Sequence, residues 1–466
     1  MVFNFYFCIY IFDFNGIKMQ ILKFGGAVLS SKKGFEKLIE IIINNNTKPV
    51  LVIISAFSKA TRNLSKAAGF AESGDEQKAM LAANQVVADY TDIANQLIDS
   101  QSVKEKLFHL FDEGIQKIGD LLRGVSIIKE LTLKTSDAIL SFGEYFALQT
   151  VYHFLLEREF NVGSIDSTDV IVTNSDFGNA EPDIEATKRN VELKIKPALE
   201  LFDLVLTQGF VAKDSSGKIT TMGIESSNLT AALYADLLNA EELTIYTDVE
   251  GIRTSDPKLI QQTKSVKSMT YEQAFIAAVN GLKLIHPGML YYLKEKNVRL
   301  SFRSAFNPSG EFTLVLPEPN IPDMKNQSTP LLILTDDISL MRYRTFSLKD
   351  RKNADKFIHK IFSSGLPVSS LHFHNEALSV FIARQSESLF QKEEHFHSLK
   401  PENFSIITII RAGGILDKCL PVLTSKIITG ERGYFFFDSD TDTLKIMTLS
   451  VSTGNLLKEL HDKIFN

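Results

Sequence analysis

The 466-residue sequence has only two cysteines, Cys8 and Cys419, which excludes a disulfide framework and a zinc cluster built on thiolates. It also lacks an excess of positive charge, because 56 aspartates and glutamates outnumber 50 lysines and arginines. The resulting net charge of −6 argues against general binding to nucleic acid or anionic membranes, which requires a basic surface. We therefore expect a cytoplasmic protein with neither nucleic acid nor a membrane as its partner.

Several catalytic motifs are also missing from the sequence. HExxH, CxxC and GxSxG do not occur, so zinc hydrolysis and the common serine-esterase arrangement have no support. The Walker A motif and the HRD loop of protein kinases are absent as well. If the protein transfers phosphoryl groups, it belongs to neither of those two classes.

Residues 1–18 are rich in aromatic side chains, but the run is too short to span a bilayer and Asp13 interrupts it. The segment also lacks the basic start and the small-residue cleavage site of a secretory signal. A regularly patterned segment begins at Met19. We therefore interpret residues 1–18 as a mis-called translation start, with an interfacial anchor or an additional strand as the alternatives.

The rest of the chain alternates between predicted strands and helices, which is typical of a layered α/β fold with a mainly parallel central sheet. The strands are predicted at 20–24, 49–55, 161–165, 203–207 and 243–248, and the helices at 33–44, across 76–130, near 183–200 and at 229–239. Ligands of such sheets bind at the carboxyl ends of the strands. Gly25, Gly26, Gly209 and Gly223 are all predicted to lie there.

The tail is predicted to form a separate region. Four prolines within residues 316–330 indicate a linker after a large domain at 19–315. Beyond it, strands are predicted at 331–334, 379–383, 405–411 and 434–438, and helices at 355–364, 415–423 and 456–463. These elements suit two small units, at 331–395 and 396–466. Such units act either as ligand sensors or as dimer contacts.

The first candidate site combines a cation with two glycines. Lys23 lies at the end of a predicted strand, and Gly25 and Gly26 follow it. Glycines allow backbone N–H groups to approach phosphate closely, and a lysine supplies a point charge. Because such turns also occur by chance, this pattern alone does not establish a phosphate site.

A second candidate region begins where another predicted strand ends in Thr247 and Asp248. An acid at this position can hold a ribose hydroxyl or order the loop, and cations close behind it can reach a polyphosphate. Those cations are Arg253, Lys258 and Lys283. Taken singly, each of them is equally explained as a solvated surface charge.

Glu144 has aromatic neighbours in the sequence and is a candidate ligand for a substrate ammonium group. The alternative is an exposed acid at the beginning of a helix, where the helix dipole favours it. We place the end of the long helical region at Gly143 and Glu144. His286, which precedes Pro287, is interpreted as a packed histidine rather than a catalytic base.

In their order along the chain, these segments resemble the aspartate kinases of the amino-acid kinase superfamily. The matching segments are 23–26 (KFGG), 55–56 with Thr61, 143–144 (GE), 168–183, 209–210 (GF), 220–223 (TTMG), 230–232, 247–249 with 256–257, and 281–287. The resemblance covers residues 19 to about 315, and the tail is similar to the paired ACT domains of the same enzymes, which implies that the two small units are interleaved. It implies an amino-acid kinase fold followed by a C-terminal α+β ACT-domain pair.

The resemblance also implies an activity, namely ATP-dependent phosphorylation of the L-aspartate β-carboxylate to 4-phospho-L-aspartate. This is the first step of lysine, threonine and methionine biosynthesis, and ATP with Mg²⁺ is the implied cofactor. The implied catalytic residues are Lys23, Glu144 and Lys283. The implied substrate contacts are Ser55, Thr61, Glu144, Ser227 and Asn228. The implied nucleotide contacts are Lys23, Gly25, Gly26, Thr247, Asp248, Arg253, Lys258 and Lys283.

The resemblance further implies a homodimer formed through the ACT domains, with lysine or threonine as an allosteric effector. No metal site built from protein side chains is predicted.

The sequence departs from the family pattern at residues 223–228, which read GIESSN where GRGGSD or GREGSD is usual. Ile224 replaces the arginine that clamps the substrate α-carboxylate, and an alkyl group cannot form that bidentate pair. Asn228 replaces the acid of the catalytic lysine network. Two further hypotheses therefore stay open: an amino-acid kinase of altered specificity, and a non-catalytic regulatory subunit. Arg62 or Arg253 is the candidate replacement for the clamp.

Overall fold

A computed structural model describes residues 19–45, 47–223, 225–317, 329–344, 368–374, 377–384, 387, 403–428 and 433–465. Its contacts divide the chain into two compact units, and each is described by itself below. The first unit comprises Met1–Val249 and Tyr291–Ser309, and the second comprises Glu250–Leu290 and Gly310–Asn466. The segment 1–18, most of the predicted linker and the predicted helix at 355–364 lie outside the described residues.

The first unit is built on a parallel sheet. Its strands are β1 (Gln20–Phe24), β2 (Val50–Ile54), β3 (Val162–Ser164), β4 (Val172–Thr173), β5 (Leu204–Gln208), β6 (Val211–Asp214), β7 (Ile219–Thr221), β8 (Glu242–Thr247) and β10 (Arg299–Ser304). The strand between the last two in the chain, β9 (Ser268–Thr270), belongs to the second unit. Six strands of the first unit pair in the order β3-β5-β2-β1-β8-β10, and every pair is parallel. All five residues of β2 are buried, as a parallel sheet covered on both faces requires.

Helices connect these strands. They are α1 (Gly26–Leu29), α2 (Lys32–Asn44), α3 (Ala60–Glu72), α4 (Glu76–Leu97), α5 (Gln101–Ile128), α6 (Leu133–Glu157), α7 (Ile184–Asn190), α8 (Lys196–Leu201) and α9 (Ser226–Leu237), with α10 (Tyr271–Val279) and α11 (Pro287–Lys296) further along the chain. The apolar stripe of α2 is buried as its spacing predicts. One hydrophobic core joins β1 and β2 to α2 through α6.

Most predicted elements of this unit are confirmed to within about two residues, but one prediction about α6 is wrong. The helical region does not end at Gly143 and Glu144, because α6 continues to Glu157. Gly143 is tolerated in mid-helix because a neighbouring loop packs closely there: a Cβ on Gly143 would lie 3.2 Å from the Ala56 Cβ. Glu144 is therefore a buried residue in the middle of a helix, not an exposed acid at a helix start.

The second unit contains β9 paired in parallel with β11 (Thr313–Leu316), and a six-stranded sheet. The strands of that sheet are β12 (Leu331–Arg344), β13 (Val368–His374), β14 (Ala377–Ala383), β15 (Asn403–Ile410), β16 (Gly433–Asp438) and β17 (Thr443–Leu449). They pair antiparallel in the order β13-β14-β12-β15-β17-β16. The helices α12 (Leu416–Ile428) and α13 (Ser450–Phe465) pack on it through a shared hydrophobic core.

Two elements of the second unit are longer in the structure than the sequence predicts. The predicted strand at 331–334 continues to Arg344 as β12, past an irregularity in pairing between Thr335 and Ile338. The predicted helix at 415–423 continues to Ile428 through Pro421, because the apolar residues on either side of the proline are anchored in the core. The combination of a parallel α/β unit with an antiparallel α+β sheet confirms the predicted fold class. None of the helices in the described part of the chain is long and apolar enough to cross a membrane.

Candidate active site

The carboxyl ends of four neighbouring parallel strands meet at one edge of the first unit's sheet. Gly25 follows β1, Ser55 follows β2, Gly209 follows β5 and Asp248 follows β8. These strands lie side by side in the order β5-β2-β1-β8. The topology thus brings together motifs that are up to 223 positions apart in the chain, at the edge where parallel α/β sheets bind ligands.

The turn after β1 packs directly against the loop after β2. A Cβ on Gly26 would lie 2.1 Å from the Ala56 carbonyl oxygen, so no side chain fits at this position. The Ser58 N–H donates to the Gly26 carbonyl at 3.2 Å. Gly25 serves a different purpose: a Cβ there would lie 3.9 Å from Lys23 Nζ, so its missing side chain leaves space beside the ammonium group. Close approach of the backbone thus requires glycine at position 26.

Lys23 and Glu144 form a buried pair of ionisable groups. Burial lowers the pKa of Lys23 to about 8, while the negative charges of Glu225 and Glu144 act to raise it. Burial also raises the pKa of Glu144 to about 8, against the lowering effects of backbone N–H groups and the charge of Lys23. The pKa of each group therefore lies near neutral pH, and such shifted values are common at functional sites.

The Glu144 carboxylate is only partly satisfied by the protein. Its Oε1 accepts a long hydrogen bond of 3.4 Å from the Ala56 N–H. Its Oε2 is buried and has no hydrogen-bond partner among the described residues. A buried carboxylate oxygen without a partner is costly, so this atom is suited to receive a donor from a ligand.

The loop after β5 packs against the start of α9. A Cβ on Gly209 would lie 2.6 Å from the Ser227 Cα, so this glycine too is required for close approach. Ser227 and Asn228 are both buried in the first turn of α9. Gly223 precedes this turn with a φ of +90°, which favours glycine. Ile224 lies outside the described residues.

The end of β8 is tied to the turn after β1 by a backbone hydrogen bond. The Gly25 N–H donates to the Tyr246 carbonyl at 2.9 Å. The Thr247 hydroxyl donates to Asp248 Oδ1 at 3.0 Å. Thr61 is half-buried in the first turn of α3, and Arg62 beside it is exposed.

Three predicted nucleotide contacts belong to the second unit. Lys258 and Lys283 are exposed in turns. Arg253 is held by its neighbours: its guanidinium donates to the Thr263 hydroxyl and carbonyl and forms an ion pair with Glu311 at 3.2 Å. These bonds engage three of the five N–H groups of the guanidinium, and the role of Arg253 in nucleotide binding stays a prediction.

Sequence reasoning missed three residues around Glu144 and Lys23. Glu225, whose charge acts on Lys23, begins α9 in a left-handed conformation (φ 62°). Asp137 lies on the same face of α6 as Glu144, seven residues earlier, and binds β7. That spacing is a signal the sequence did contain. Tyr90 contacts the same region from α4, and no sequence pattern pointed to it.

Comparison with known proteins agrees with this architecture. A model of the Amino acid kinase family matches residues 18–304, which is more than half of the chain. The chain belongs to the amino acid kinase family. Family membership accounts for the parallel sheet and for the glycine-rich turns at its carboxyl edge.

Individual relatives are distant. The lysine-sensitive aspartokinase 3 of Escherichia coli is 29% identical over 306 residues, covering 64% of each protein. A bifunctional aspartokinase/homoserine dehydrogenase of Arabidopsis thaliana is 25% identical over 308 residues, which are 66% of this chain and only 33% of that protein. The chain thus spans about a third of the length of this plant relative.

The fold extends over nearly the whole chain. The crystal structure of E. coli aspartokinase III in complex with aspartate and ADP superposes with a TM-score of 0.81. The match covers 96% of this chain and 100% of that one, at 22% sequence identity. It confirms the predicted amino-acid kinase fold with an ACT-like C-terminal region.

Proposed function

We propose that the protein is an aspartate kinase, which transfers the γ-phosphoryl group of ATP to the β-carboxylate of L-aspartate. The observation that carries this proposal is the pair of buried groups at the sheet edge: Lys23 and Glu144 act electrostatically on each other, and Glu144 Oε2 has no partner among the described residues. A cation suits a phosphoryl group, and an unsatisfied carboxylate suits an amino-acid ammonium. Family membership and the aspartokinase relatives support the same conclusion.

The reaction needs charge neutralisation more than proton transfer. A carboxylate acceptor is already ionised at neutral pH, so no general base is required. Catalysis then consists of holding the two substrates in line and compensating the negative charge of the transferring group. Lys23 provides that charge from a buried position, where its electrostatic effect is greater than in water. The absence of a side chain at Gly25 would leave a phosphoryl oxygen room to approach the ammonium group.

Mg²⁺ bound to the nucleotide would supply additional positive charge at the phosphates. Such a Mg²⁺ is commonly held by phosphate oxygens, water and one or two carboxylates. The described residues contain no group of three or more acidic, histidine or cysteine side chains arranged to hold a metal. Their donor set therefore fits a metal that arrives with ATP better than a resident one.

Substrate recognition is assigned to the residues around Glu144. Glu144 would receive the α-ammonium group through Oε2, and Ser55 would contact the substrate or a phosphoryl oxygen from the end of β2. Thr61, Ser227 and Asn228 would complete the substrate side. Thr247 and Asp248 would contact the nucleotide, joined by Lys258 and Lys283.

The α-carboxylate needs a cation that Ile224 cannot provide. Of the two arginines considered as replacements, Arg253 is engaged by Thr263 and Glu311. Arg62 is exposed and adjoins Thr61 in the first turn of α3. We therefore assign the α-carboxylate contact to Arg62.

Regulation is the remaining part of the proposal. We infer that the C-terminal sheet binds an amino-acid effector and forms a homodimer. Lysine is the first effector to test, because the related E. coli enzyme is lysine-sensitive.

The decisive experiment measures acyl phosphate formation. Purified protein is incubated with ATP, Mg²⁺ and L-aspartate, and the product is trapped with hydroxylamine as the hydroxamate. We expect the wild-type protein to form acyl phosphate. Lys23→Met should lower kcat by about 10²–10³-fold, the effect typical of removing one electrostatic contact. Lys66→Met, which changes an exposed lysine on α3, is the control.

The alternatives predict different results in the same assay. Turnover with another amino acid, but not with aspartate, would indicate an altered specificity. No turnover with any amino acid, together with binding of lysine or threonine, would indicate a regulatory subunit instead.

A further inference from the structure

The hydroxyl of Tyr90 bridges two elements of the candidate site. Tyr90 lies on α4 and is completely buried. Its hydroxyl accepts a hydrogen bond from the Phe57 N–H at 2.9 Å and donates one to the Gly143 carbonyl at 2.7 Å. Its ring stacks on Phe57 with 4.1 Å between centroids and meets Phe146 edge-on at 5.7 Å. Both the ring and the hydroxyl are therefore held in one orientation.

The two bridged backbone groups flank the proposed substrate contacts. Phe57 lies two residues after Ser55 in the loop that follows β2, and Gly143 immediately precedes Glu144 on α6. The same loop and helix are joined by the Ala56 N–H, which donates to Glu144 Oε1. Tyr90 thus bridges the same loop and helix as the hydrogen bond from Ala56 to Glu144.

We propose that Tyr90 is a positioning residue that sets the place of the Glu144 carboxylate relative to the loop at residues 55–57. The proposal rests on the assignment of Glu144 to the substrate ammonium. Tyr90 does not touch the substrate; it acts through Glu144 and the loop.

The geometry makes this spacing sensitive to small shifts. The Ala56 N–H to Glu144 Oε1 distance is already 3.4 Å, near the limit of a hydrogen bond, so a further small displacement breaks it. The loop and helix are in close contact at Gly143, whose Cβ would lie 3.2 Å from the Ala56 Cβ. Without the Tyr90 hydroxyl, the buried Phe57 N–H would lose its partner, and the loop would move to regain one.

The test replaces Tyr90 with phenylalanine, which keeps the ring and removes the hydroxyl. Tyr152→Phe is the matched control, because Tyr152 is half-buried on α6 and its hydroxyl has no hydrogen bond within the described part of the chain. KM values for aspartate and for ATP are measured separately in the hydroxamate assay. We expect the aspartate KM to rise about tenfold in Tyr90→Phe, while the ATP KM changes by less than about twofold.

A double-mutant cycle separates positioning from a general structural role. If Tyr90 acts through Glu144, Tyr90→Phe has little further effect on aspartate kinetics in a Glu144→Gln background. Additive effects, an unchanged aspartate KM, or equal losses for both substrates would overturn the proposal.

If Tyr90→Phe fails to fold, Gly143→Ala perturbs the same helix–loop spacing and is expected to give the same aspartate-specific change. Equal changes for both substrates in that variant would also count against it.

Failure of the proposed function gives a separate signal. If the wild-type protein forms no acyl phosphate, aspartate binding is measured by calorimetry in the presence of ADP. A weaker aspartate affinity of Tyr90→Phe relative to Tyr152→Phe then supports the positioning role. Equal affinities, or no binding of aspartate to the wild type, overturn it.

Discussion

Lys23 and Glu144 are two buried groups of opposite charge type whose pKa values both lie at about 8. For Glu144 this is a raised value, so the carboxylate form needed to bind an ammonium group is present only as the pH approaches and exceeds 8. For Lys23 it is a lowered value, so the cationic form that stabilises the phosphoryl group is lost as the pH rises through 8. The two titrations limit activity from opposite sides.

We therefore expect kcat/KM for aspartate to follow a narrow bell-shaped pH profile centred near pH 8. The measurement is the hydroxamate assay run as a pH series at saturating ATP. Glu144→Gln should remove the acidic limb and leave the basic limb. A profile that is flat on both sides of pH 8 would show that these two groups do not control the reaction.

Ile224 and Asn228 mark where this chain departs from the pattern of its family. Combining Ile224→Arg with Asn228→Asp restores a guanidinium for the α-carboxylate and a charge at the start of α9. We expect the double variant to lower the aspartate KM by about tenfold, the scale of one additional charge-assisted bond. The guanidinium at position 224 would add to the contact that Arg62 is proposed to make, so Arg62→Gln alone should raise the aspartate KM by a similar factor. An unchanged KM in both variants would contradict these assignments.

At the scale of whole elements, α6 joins the site to the small sheet formed by β4, β6 and β7. The Asp137 carboxylate accepts hydrogen bonds from the Gly178 N–H at 2.8 Å, the Thr221 N–H at 2.9 Å and the Thr221 hydroxyl at 2.7 Å. Both N–H groups approach the same oxygen, Oδ2. One side chain thus holds together α6, the end of β7 and the loop near Gly178.

Asp137→Asn should weaken this junction, because a neutral amide loses the charge-assisted hydrogen bonds from the Gly178 and Thr221 N–H groups, and its NH₂ group cannot accept from the Thr221 hydroxyl. We expect a loss of about 1–3 kcal/mol in unfolding free energy, the usual cost of unsatisfied buried groups. Urea denaturation provides the measurement. Asp120→Asn is the control, since that side chain is 80% exposed and should change stability by less than about 0.5 kcal/mol. Similar losses in both variants would contradict the assigned role.

At the scale of the whole molecule, the chain divides into compact units between residues 249 and 250, directly after the strand-end Asp248. The segment Glu250–Leu290, which carries Arg253, Lys258 and Lys283, shares a unit with the C-terminal sheet. Within that unit the Thr254 hydroxyl lies 3.0 Å from His461 Nε2 of α13, and the Leu332 N–H donates to the Thr254 carbonyl at 2.8 Å. The segment proposed to contact ATP is therefore hydrogen-bonded to the sheet and the helix that are proposed to bind the effector.

We expect lysine to inhibit the enzyme and the Thr254→Val variant to show weaker inhibition. The variant removes the hydroxyl between Lys264 and His461. We expect the lysine concentration for half-maximal inhibition to rise about fivefold, which corresponds to the lower end of typical coupling energies. Thr424→Val is the control, because its hydroxyl bonds only within α12. Lysine titrations of the activity of both variants test the coupling. Light scattering measures the mass of the same samples and tests the homodimer. Equal inhibition in the two variants would argue against this route.

Local patterns explain which elements were predicted correctly. β2 was predicted because a wholly apolar run between turn residues has few other solutions, and α2 because its apolar residues follow helical spacing. Gly143 misled the prediction for α6, since a glycine after a long helical run is also a common stop signal. Only the packing of Ala56 against Gly143 makes this glycine part of a continuous helix.

The sequence by itself determined the alternation of strands and helices, the glycine turns at strand ends and the family, because these depend on residues close together in the chain. The tertiary structure decided the environment of each side chain. Glu144 has a raised pKa because distant segments bury it, and the Tyr90 hydroxyl binds backbone groups 33 and 53 residues away. Arg253 forms an ion pair with Glu311 because folding brings together residues that are 58 positions apart in the chain. Burial and hydrogen bonding between distant residues are properties of the folded chain, and no local pattern contains them.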